Sequence, residues 1–183
     1  LEATFAANHL AAFVLTRDLM PLLKAASADT EEGSVRVIAV SSSGHEYCPG
    51  MKWDDLNHFD GFTTGGAYCQ AKLANVLFTR ALNRRIAGDG MVAQAMHPGV
   101  VKSNFASHGD AFMQDHMAGL DGHRPEHPPR TLGWLATSDE GGAPGGRYFH
   151  DLAEVPAAPQ ALDDEAAERL WLESARMLAE IGA

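Results

Sequence analysis

Apolar positions in the first part of the chain recur with a helical period. Over residues 3–25 they fall every three or four positions, which predicts an amphipathic helix. The apolar face comprises Leu10, Phe13, Val14, Leu19, Leu22 and Leu23. A short acidic stretch of small residues then predicts a loop at 25–33. The β-branched run at 35–40 predicts a strand buried on both faces.

The middle of the chain repeats this helix-and-strand pattern after a long connection. Residues 41–66 carry Gly, Pro and Asp and predict a connection of a length that is usually functional. An apolar stripe predicts a helix over 68–87, which the Gly-Asp-Gly sequence at 88–90 ends. A second strand is predicted at 91–96 and ends before His97, Pro98 and Gly99.

The last third predicts shorter elements. Residues 104–129 indicate a flexible loop or short helices, followed by a helix at 131–137 and a strand at 146–150. Asp163 and Asp164 can cap a final helix over 165–181. The resulting order, α-β-α-β-α-β-α, predicts an α/β fold: a single Rossmann-like domain over 1–183, with a parallel sheet and helices on both faces.

Composition narrows the class of protein. The chain is 45% hydrophobic and 21% charged, as in soluble globular proteins, and its net charge of −10 argues against nucleic-acid partners. No apolar run approaches the roughly 20 residues of a membrane span. Cys48 and Cys69 lack metal or disulfide spacing, which favours reduced thiols in a cytoplasmic protein.

Tyr68 and Lys72 form the most informative pair in the chain. Their i, i+4 spacing places both side chains on one helical face. A lysine ammonium beside a phenol favours the phenolate, which lowers the tyrosine pKa toward the range useful for proton transfer. The serines at 41–43 and residues 97–103 follow the two strands, so three segments should converge at the carboxyl edge of the sheet.

Each of these residues also has an ordinary structural explanation. Tyr68 and Lys72 alone are compatible with a helix surface, and Asn8 with a local hydrogen bond. Ser41 and Ser43 are typical of turns and caps, and His97 of packing at a strand end. Phe112, Met113 and Met117 are equally compatible with packing and with a substrate pocket.

Nine histidines raise the question of a metal site, above all at His123 and His127. Pro125, Pro128 and Pro129 break the helix that paired ligation by those two histidines would need. The sequence therefore predicts no metal site.

The ordered set of motifs resembles the short-chain dehydrogenase/reductase family. It is most similar to the branch that contains retinol dehydrogenases and the WW-domain-containing oxidoreductase. Residues 8–16 match that branch's Asn-His-Leu helix, 36–42 its serine strand and 67–75 its catalytic helix, with Ala71 where serine is usual. Residues 147–149 and 169–171 resemble its last strand and helix.

The resemblance implies a role for each matching position. Tyr68 would be the general acid/base, Lys72 would lower its pKa and bind the nicotinamide ribose, and Ser42 would hold the substrate oxygen. Asn8 would complete the tetrad through a water. Residues at the end of the second strand would contact the nicotinamide; they are Pro98, Gly99, Val101 and Ser103.

These roles imply an NAD(P)-dependent oxidoreductase that acts on a small alcohol or carbonyl compound, with NADP favoured. The substrate loop is apolar enough for a hydrophobic substrate. The wider superfamily implies a homodimer formed through the helices near Asn8 and Tyr68.

One departure from the family pattern stands out. The chain contains no Gly-rich phosphate loop and no Asn-Asn-Ala-Gly segment ahead of Asn8, and these parts hold the adenosine half of a dinucleotide. We therefore expect a partial, carboxyl-terminal sequence of an active enzyme. The alternative is a non-catalytic remnant that serves as an interaction module through exposed sheet edges and apolar faces.

Overall fold

The computed structural model describes residues 1–101, 104, 107, 109–123 and 130–183, with the backbone alone at 112, 113 and 116. Ser103, His127 and the side chains of Phe112 and Met113 lie outside what is described. The predictions made for them therefore stay predictions.

The first helix is continuous but changes its winding. The α-helix α1, Ala3–Phe5, passes through a π-helical turn, Ala6–Leu10, into α2, Ala11–Ser27. The Glu2 carboxylate caps the start by accepting from the Thr4 and Phe5 amides. The helix predicted over 3–25 is confirmed, whereas the π-helical turn was not foreseen.

Four strands form one sheet in the order β1-β2-β3-β4: Arg36–Val40, Val92–His97, Tyr148–His150 and Ala153–Glu154. The first three are parallel, as predicted. The fourth pairs antiparallel with β3 and was missed, because two residues leave no periodicity to detect.

The prediction that β1 is buried on both faces is wrong for the chain described. Its residues are half-buried, and Val40 is 40% exposed. Within the described sheet β1 pairs with β2 on one side only, so it occupies an edge position.

The remaining helices lie close to their predicted places: α3 Thr64–Ile86, α4 Ala111–Ala118, α5 Arg130–Thr137 and α6 Asp164–Glu180. The start of α3 precedes the predicted one because Thr63 caps it, accepting from the Gly66 amide at 3.1 Å. The N-cap of α6 is Asp163, as expected. Tyr68 consequently lies in the second turn of α3 rather than at its first residue.

The core is built around α3. Phe13 of α2, Phe78 of α3 and Trp171 of α6 pack together, with the Phe78 and Trp171 rings stacked at 5.9 Å. Asp164 of α6 also pairs with Arg80 and Arg84 of α3. A helix of the same chain thus packs against the outer side of α3, and dimerisation through α3 stays a prediction.

None of the described helices combines the length and the apolar character needed to cross a bilayer.

His9 is a buried histidine inside this aromatic core. Its Nε2 lies 2.8 Å from Ser174 Oγ, and its ring packs 5.0 Å from that of Phe5. Burial lowers the pKa of His9 from 6.5 to about 4, and the nearby Asn75 side chain offsets part of the effect. The core therefore favours the neutral imidazole.

We expect the free energy of unfolding to fall as pH decreases from 6.5 toward 4. Over that window the unfolded chain binds a proton at His9 while the folded chain does not, so the stabilisation present above pH 6.5 is lost. The shift corresponds to roughly 3 kcal/mol. Denaturant titrations of the complete gene product across this range would measure the slope.

His97, whose pKa burial also lowers to about 4, should contribute a further part of the same slope. His9→Gln should therefore reduce the slope, and replacing both histidines should remove most of it. An identical slope in wild type and H9Q would show that His9 does not control the pH dependence.

Candidate active site

The end of β1 turns directly into the start of the site. Ser41 is buried, and its Oγ donates to the Lys72 carbonyl on α3 at 2.7 Å. Ser42 then caps a 3-10 turn, Ser43–Tyr47, with its Oγ accepting from the Gly44 amide at 3.0 Å. The Ser41 bond holds the serine pair against α3, and the Ser42 bond closes the turn that follows it.

Tyr68 projects from α3 toward this turn. It is half-buried, and the Ser42 side chain lies near enough to its phenol to affect the pKa of that phenol. A Cβ built on Gly44 would lie 3.2 Å from Tyr68 Cε1 and 3.4 Å from Ser42 Oγ, so the small residue allows the two side chains to approach. The predicted convergence of Ser42 and Tyr68 is confirmed.

Lys72 lies one turn further along α3. Its Nζ donates to the Val40 carbonyl at 3.1 Å and lies 5.4 Å from the centre of the Tyr68 ring. Burial lowers the pKa of the ammonium. The lysine is therefore beside the tyrosine but bonded to the end of β1.

The expected depression of the Tyr68 pKa by Lys72 is not what this arrangement produces. Burial raises the pKa of Tyr68, and the nearby Ser42 side chain lowers it in part. The Lys72 ammonium, which bonds to the Val40 carbonyl and lies 5.4 Å from the centre of the Tyr68 ring, does not overcome the effect of burial. In this state Tyr68 carries its proton.

Asn8 occupies the π-helical turn between α1 and α2. Insertions of this kind inside α-helices are frequent at functional sites. Its side-chain amide donates to the Thr4 carbonyl at 3.0 Å. This is the local hydrogen bond that Asn8 would form without any role in a site. The turn packs against α3, but the described contacts of Asn8 do not join it to Lys72.

The end of β2 provides the second side of the site. Gly99 follows Pro98 with φ +82°, a left-handed conformation that favours glycine. Val101 forms a parallel bridge with His123, whose amide donates to the Val100 carbonyl at 2.8 Å. The segment after β2 thus returns to the carboxyl edge of the sheet, beside the Gly99 backbone.

Two positions beside the candidate site were missed by the sequence reasoning. Asn75 Nδ2 donates to the Val40 carbonyl at 3.3 Å, beside Lys72 Nζ. His45 Nδ1 lies 2.7 Å from the Ser42 carbonyl. The i, i+3 spacing of Lys72 and Asn75 could have revealed the first, whereas the tertiary contacts of His45 leave no sequence pattern.

No family model matches this chain. It is 37% identical to human retinol dehydrogenase 13 over 185 aligned residues, which cover 97% of this chain and 54% of the relative. Human retinol dehydrogenase 14 is 34% identical, with 93% of this chain and 50% of the relative covered. The chain therefore spans about half the length of the curated relatives it matches.

Solved structures give the same result for the fold. A crystal structure of an uncharacterised protein from Mycobacterium Paratuberculosis superposes with a TM-score of 0.65 at 29% identity, covering 94% of this chain and 57% of that one. The NADPH-bound carbonyl reductase from chicken fatty liver superposes with a TM-score of 0.58 at 18% identity, covering 84% and 55%, and shows likeness of fold alone. With its Rossmann-like sheet and its kinship to retinol dehydrogenases over nearly its whole length, this chain belongs to the short-chain dehydrogenase/reductase family.

Proposed function

We propose that the protein containing this chain is a nicotinamide-dependent oxidoreductase that interconverts an alcohol and a carbonyl compound. The observation that carries the proposal is that Tyr68 and Ser42 meet beside Gly44, with Lys72 Nζ 5.4 Å from the centre of the Tyr68 ring, at the carboxyl edge of a parallel sheet. In open α/β sheets, ligands bind at this edge. The similarity of the chain to proteins named as retinol dehydrogenases supports the same class of reaction.

The described residues fit the nicotinamide half of such a cofactor. Lys72 Nζ has three donor hydrogens and gives one to Val40, so two can serve a ribose hydroxyl pair. Among the described residues, a Cβ at Gly99 would have only the His123 ring within 4 Å, at 3.5 Å, and we propose that the nicotinamide ring lies against this backbone. We assign Tyr68, Lys72, Pro98, Gly99, Val101 and Ser103 to cofactor binding, and favour NADP on the resemblance to the retinol-type branch.

The chain's own groups would manage the oxygen and the proton of the reaction. Ser42 and Tyr68 present two hydroxyl groups that can hydrogen-bond to one substrate oxygen. In reduction the Tyr68 hydroxyl gives its proton to that oxygen, and in oxidation the Tyr68 oxygen removes it. A bound nicotinamide supplies or accepts the hydride. An acid/base placed in this way typically contributes a factor of about 10² to 10⁴ in rate.

The position of the Lys72 ammonium would determine whether Tyr68 acts as an acid or as a base. While the ammonium bonds to Val40, the raised pKa of Tyr68 keeps the phenol protonated and ready to act as an acid. Movement of the ammonium toward the phenol oxygen would lower that pKa and prepare the base. Asn8 is proposed to help through a water, as in the family.

The substrate proposed is a small alcohol or carbonyl compound with a hydrophobic body. The segment that returns from β2 includes α4, where Met117 is half-buried. Its anchor to the site is the hydrogen bond from Thr64 Oγ1 to Asp110 Oδ2 at 2.8 Å, which ties it to the start of α3. We likewise propose a homodimer and a cytoplasmic location.

Removal of the Tyr68 hydroxyl tests its proposed role as the proton donor. In the complete gene product, Tyr68→Phe should lower kcat by at least about 10²-fold, the lower end of general acid/base effects, and leave dinucleotide affinity within a few-fold. Stopped-flow rates with retinal-like aldehydes and fluorescence titration of NADPH would measure both.

Tyr47→Phe is the matched control, because Tyr47 is 81% exposed on the turn that follows Ser42. It should retain wild-type turnover. Equal turnover in Y68F and Y47F would refute the acid/base assignment.

The close approach of Tyr68 and Ser42 at Gly44 can be tested by adding a methyl group there. Gly44→Ala places a Cβ 3.2 Å from the Tyr68 ring and 3.4 Å from Ser42 Oγ, so the two side chains must separate by a few tenths of an ångström. Because near-attack geometry is sensitive to such displacements, kcat should fall several-fold or more.

Gly50→Ala provides the control, since no atom of the part of the chain that the structure describes lies within 4 Å of a Cβ there. Steady-state kinetics of both variants, with thermal unfolding to confirm that each is folded, would test the idea. Unchanged kcat in G44A would show that the Ser42–Tyr68 contact tolerates the displacement.

The non-catalytic interaction module remains a second candidate, favoured by the apolar surface of α2. Leu15 and Leu22 are 61% and 68% exposed there. The two candidates separate in one measurement: the module predicts that the complete gene product neither binds a dinucleotide nor shows turnover that depends on Tyr68.

A further inference from the structure

His45 is buried behind Ser42, and both of its ring nitrogens have partners. The residue is 0% exposed. Its Nδ1 lies 2.7 Å from the Ser42 carbonyl oxygen, and its Nε2 lies 3.1 Å from the Ala158 amide nitrogen. One imidazole therefore links the substrate-side serine to a segment more than a hundred residues further along the chain.

The chemistry of the two partners determines which nitrogen carries the hydrogen. A backbone amide can only donate, so Nε2 must accept from Ala158. A carbonyl can only accept, so Nδ1 must donate to Ser42. The amide of Ala158 thus selects the Nδ1–H tautomer, and that tautomer provides the bond to Ser42.

The segment before α6 holds the same turn at further points. Gln160 Nε2 donates to the Cys48 carbonyl at 2.6 Å, just beyond the turn. The Tyr148 ring packs 4.8 Å from the imidazole, so His45 has little freedom to rotate. The imidazole is therefore clamped between the turn after Ser42 and the connection that leads into the last helix.

We propose that His45 is a positioning residue for Ser42: its Nδ1–H, selected by the Ala158 amide, fixes the Ser42 backbone so that the serine hydroxyl meets the substrate oxygen. Nothing in this arrangement places His45 in contact with the substrate itself. The inference rests on the proposed function and assigns a role to the last third of the chain within the same site.

Two amide substitutions separate the two bonds of the imidazole. His45→Asn can keep a donor at the position of Nδ1 but has no group that reaches Ala158. His45→Gln can keep an acceptor at the position of Nε2 but has no donor for Ser42. Measured on the complete gene product, H45N should stay within about threefold of wild-type kcat, whereas H45Q should lose roughly 3- to 10-fold, the scale of one neutral hydrogen bond.

The dinucleotide KM should be unchanged in both variants, because His45 acts on Ser42 alone. If His45 only stabilised the fold, kcat per folded molecule would be the same in H45N, H45Q and wild type. That result, or a larger loss in H45N than in H45Q, would overturn the proposal.

Ala158→Pro tests the tautomer without altering the histidine. Ala158 has φ −58°, which proline adopts, and the substitution replaces the amide hydrogen with the proline Cδ, so Nε2 loses its donor and the imidazole must move away from the ring. Imidazole ¹⁵N shifts of wild type should show a protonated Nδ1 and a bare Nε2 at His45, and A158P should shift them toward a mixture of tautomers. A proton on Nε2 in wild type would also overturn the proposal.

The ¹⁵N measurement needs no turnover, so it tests the positioning of Ser42 by His45 separately from the proposed oxidoreductase function. If wild type proves inactive, the proposed oxidoreductase function fails. The positioning of Ser42 can then still be judged from its carbonyl ¹³C shift, which should change in H45Q and stay near wild type in H45N. An unchanged Ser42 shift in H45Q would contradict the positioning role regardless of activity.

Discussion

The site depends on the burial of α3 against the sheet. From Ala71 to Thr79 every residue of this helix is buried, so the helix can neither slide nor rotate without disturbing the core. The backbone positions of Tyr68 and Lys72 are fixed in the same way, because both residues belong to this helix and lie one turn apart. The Ser41 hydroxyl, bonded to the Lys72 carbonyl, then sets the end of β1 in register with them. Proton-transfer chemistry needs placement of this kind on rigid elements.

The elements with strong periodicity were foreseen from the sequence. The long helices and the first two strands have apolar patterns that local physics dictates, and the structure has them within a few residues of the predicted positions. The convergence of Ser42 with Tyr68 was also foreseen, since parallel strands end at one edge. What could not be foreseen depends on distant contacts: the exposure of β1, the antiparallel β4 and the π-helical turn at Asn8.

The electrostatics of the site were harder to foresee than its geometry. A spacing of four residues places Lys72 near Tyr68, but it does not say what the ammonium bonds to. The ammonium donates to the Val40 carbonyl, which no sequence motif marks. Burial is then the main influence on the pKa of Tyr68. His45 shows the same limit, because its role arises from an amide contributed by the far end of the chain.

The carbonyl of Val40 has a further consequence for how the lysine can work. It accepts from both Lys72 Nζ and Asn75 Nδ2, so each of its lone pairs has a donor. When the ammonium turns toward a ligand, the amide of Asn75 remains in place and the strand end keeps a partner. The departing cation leaves no bare acceptor behind, so its reorientation costs less than breaking a single exclusive bond would. In the proposed reaction, Asn75 would therefore keep the Val40 carbonyl bonded while Lys72 changes partners.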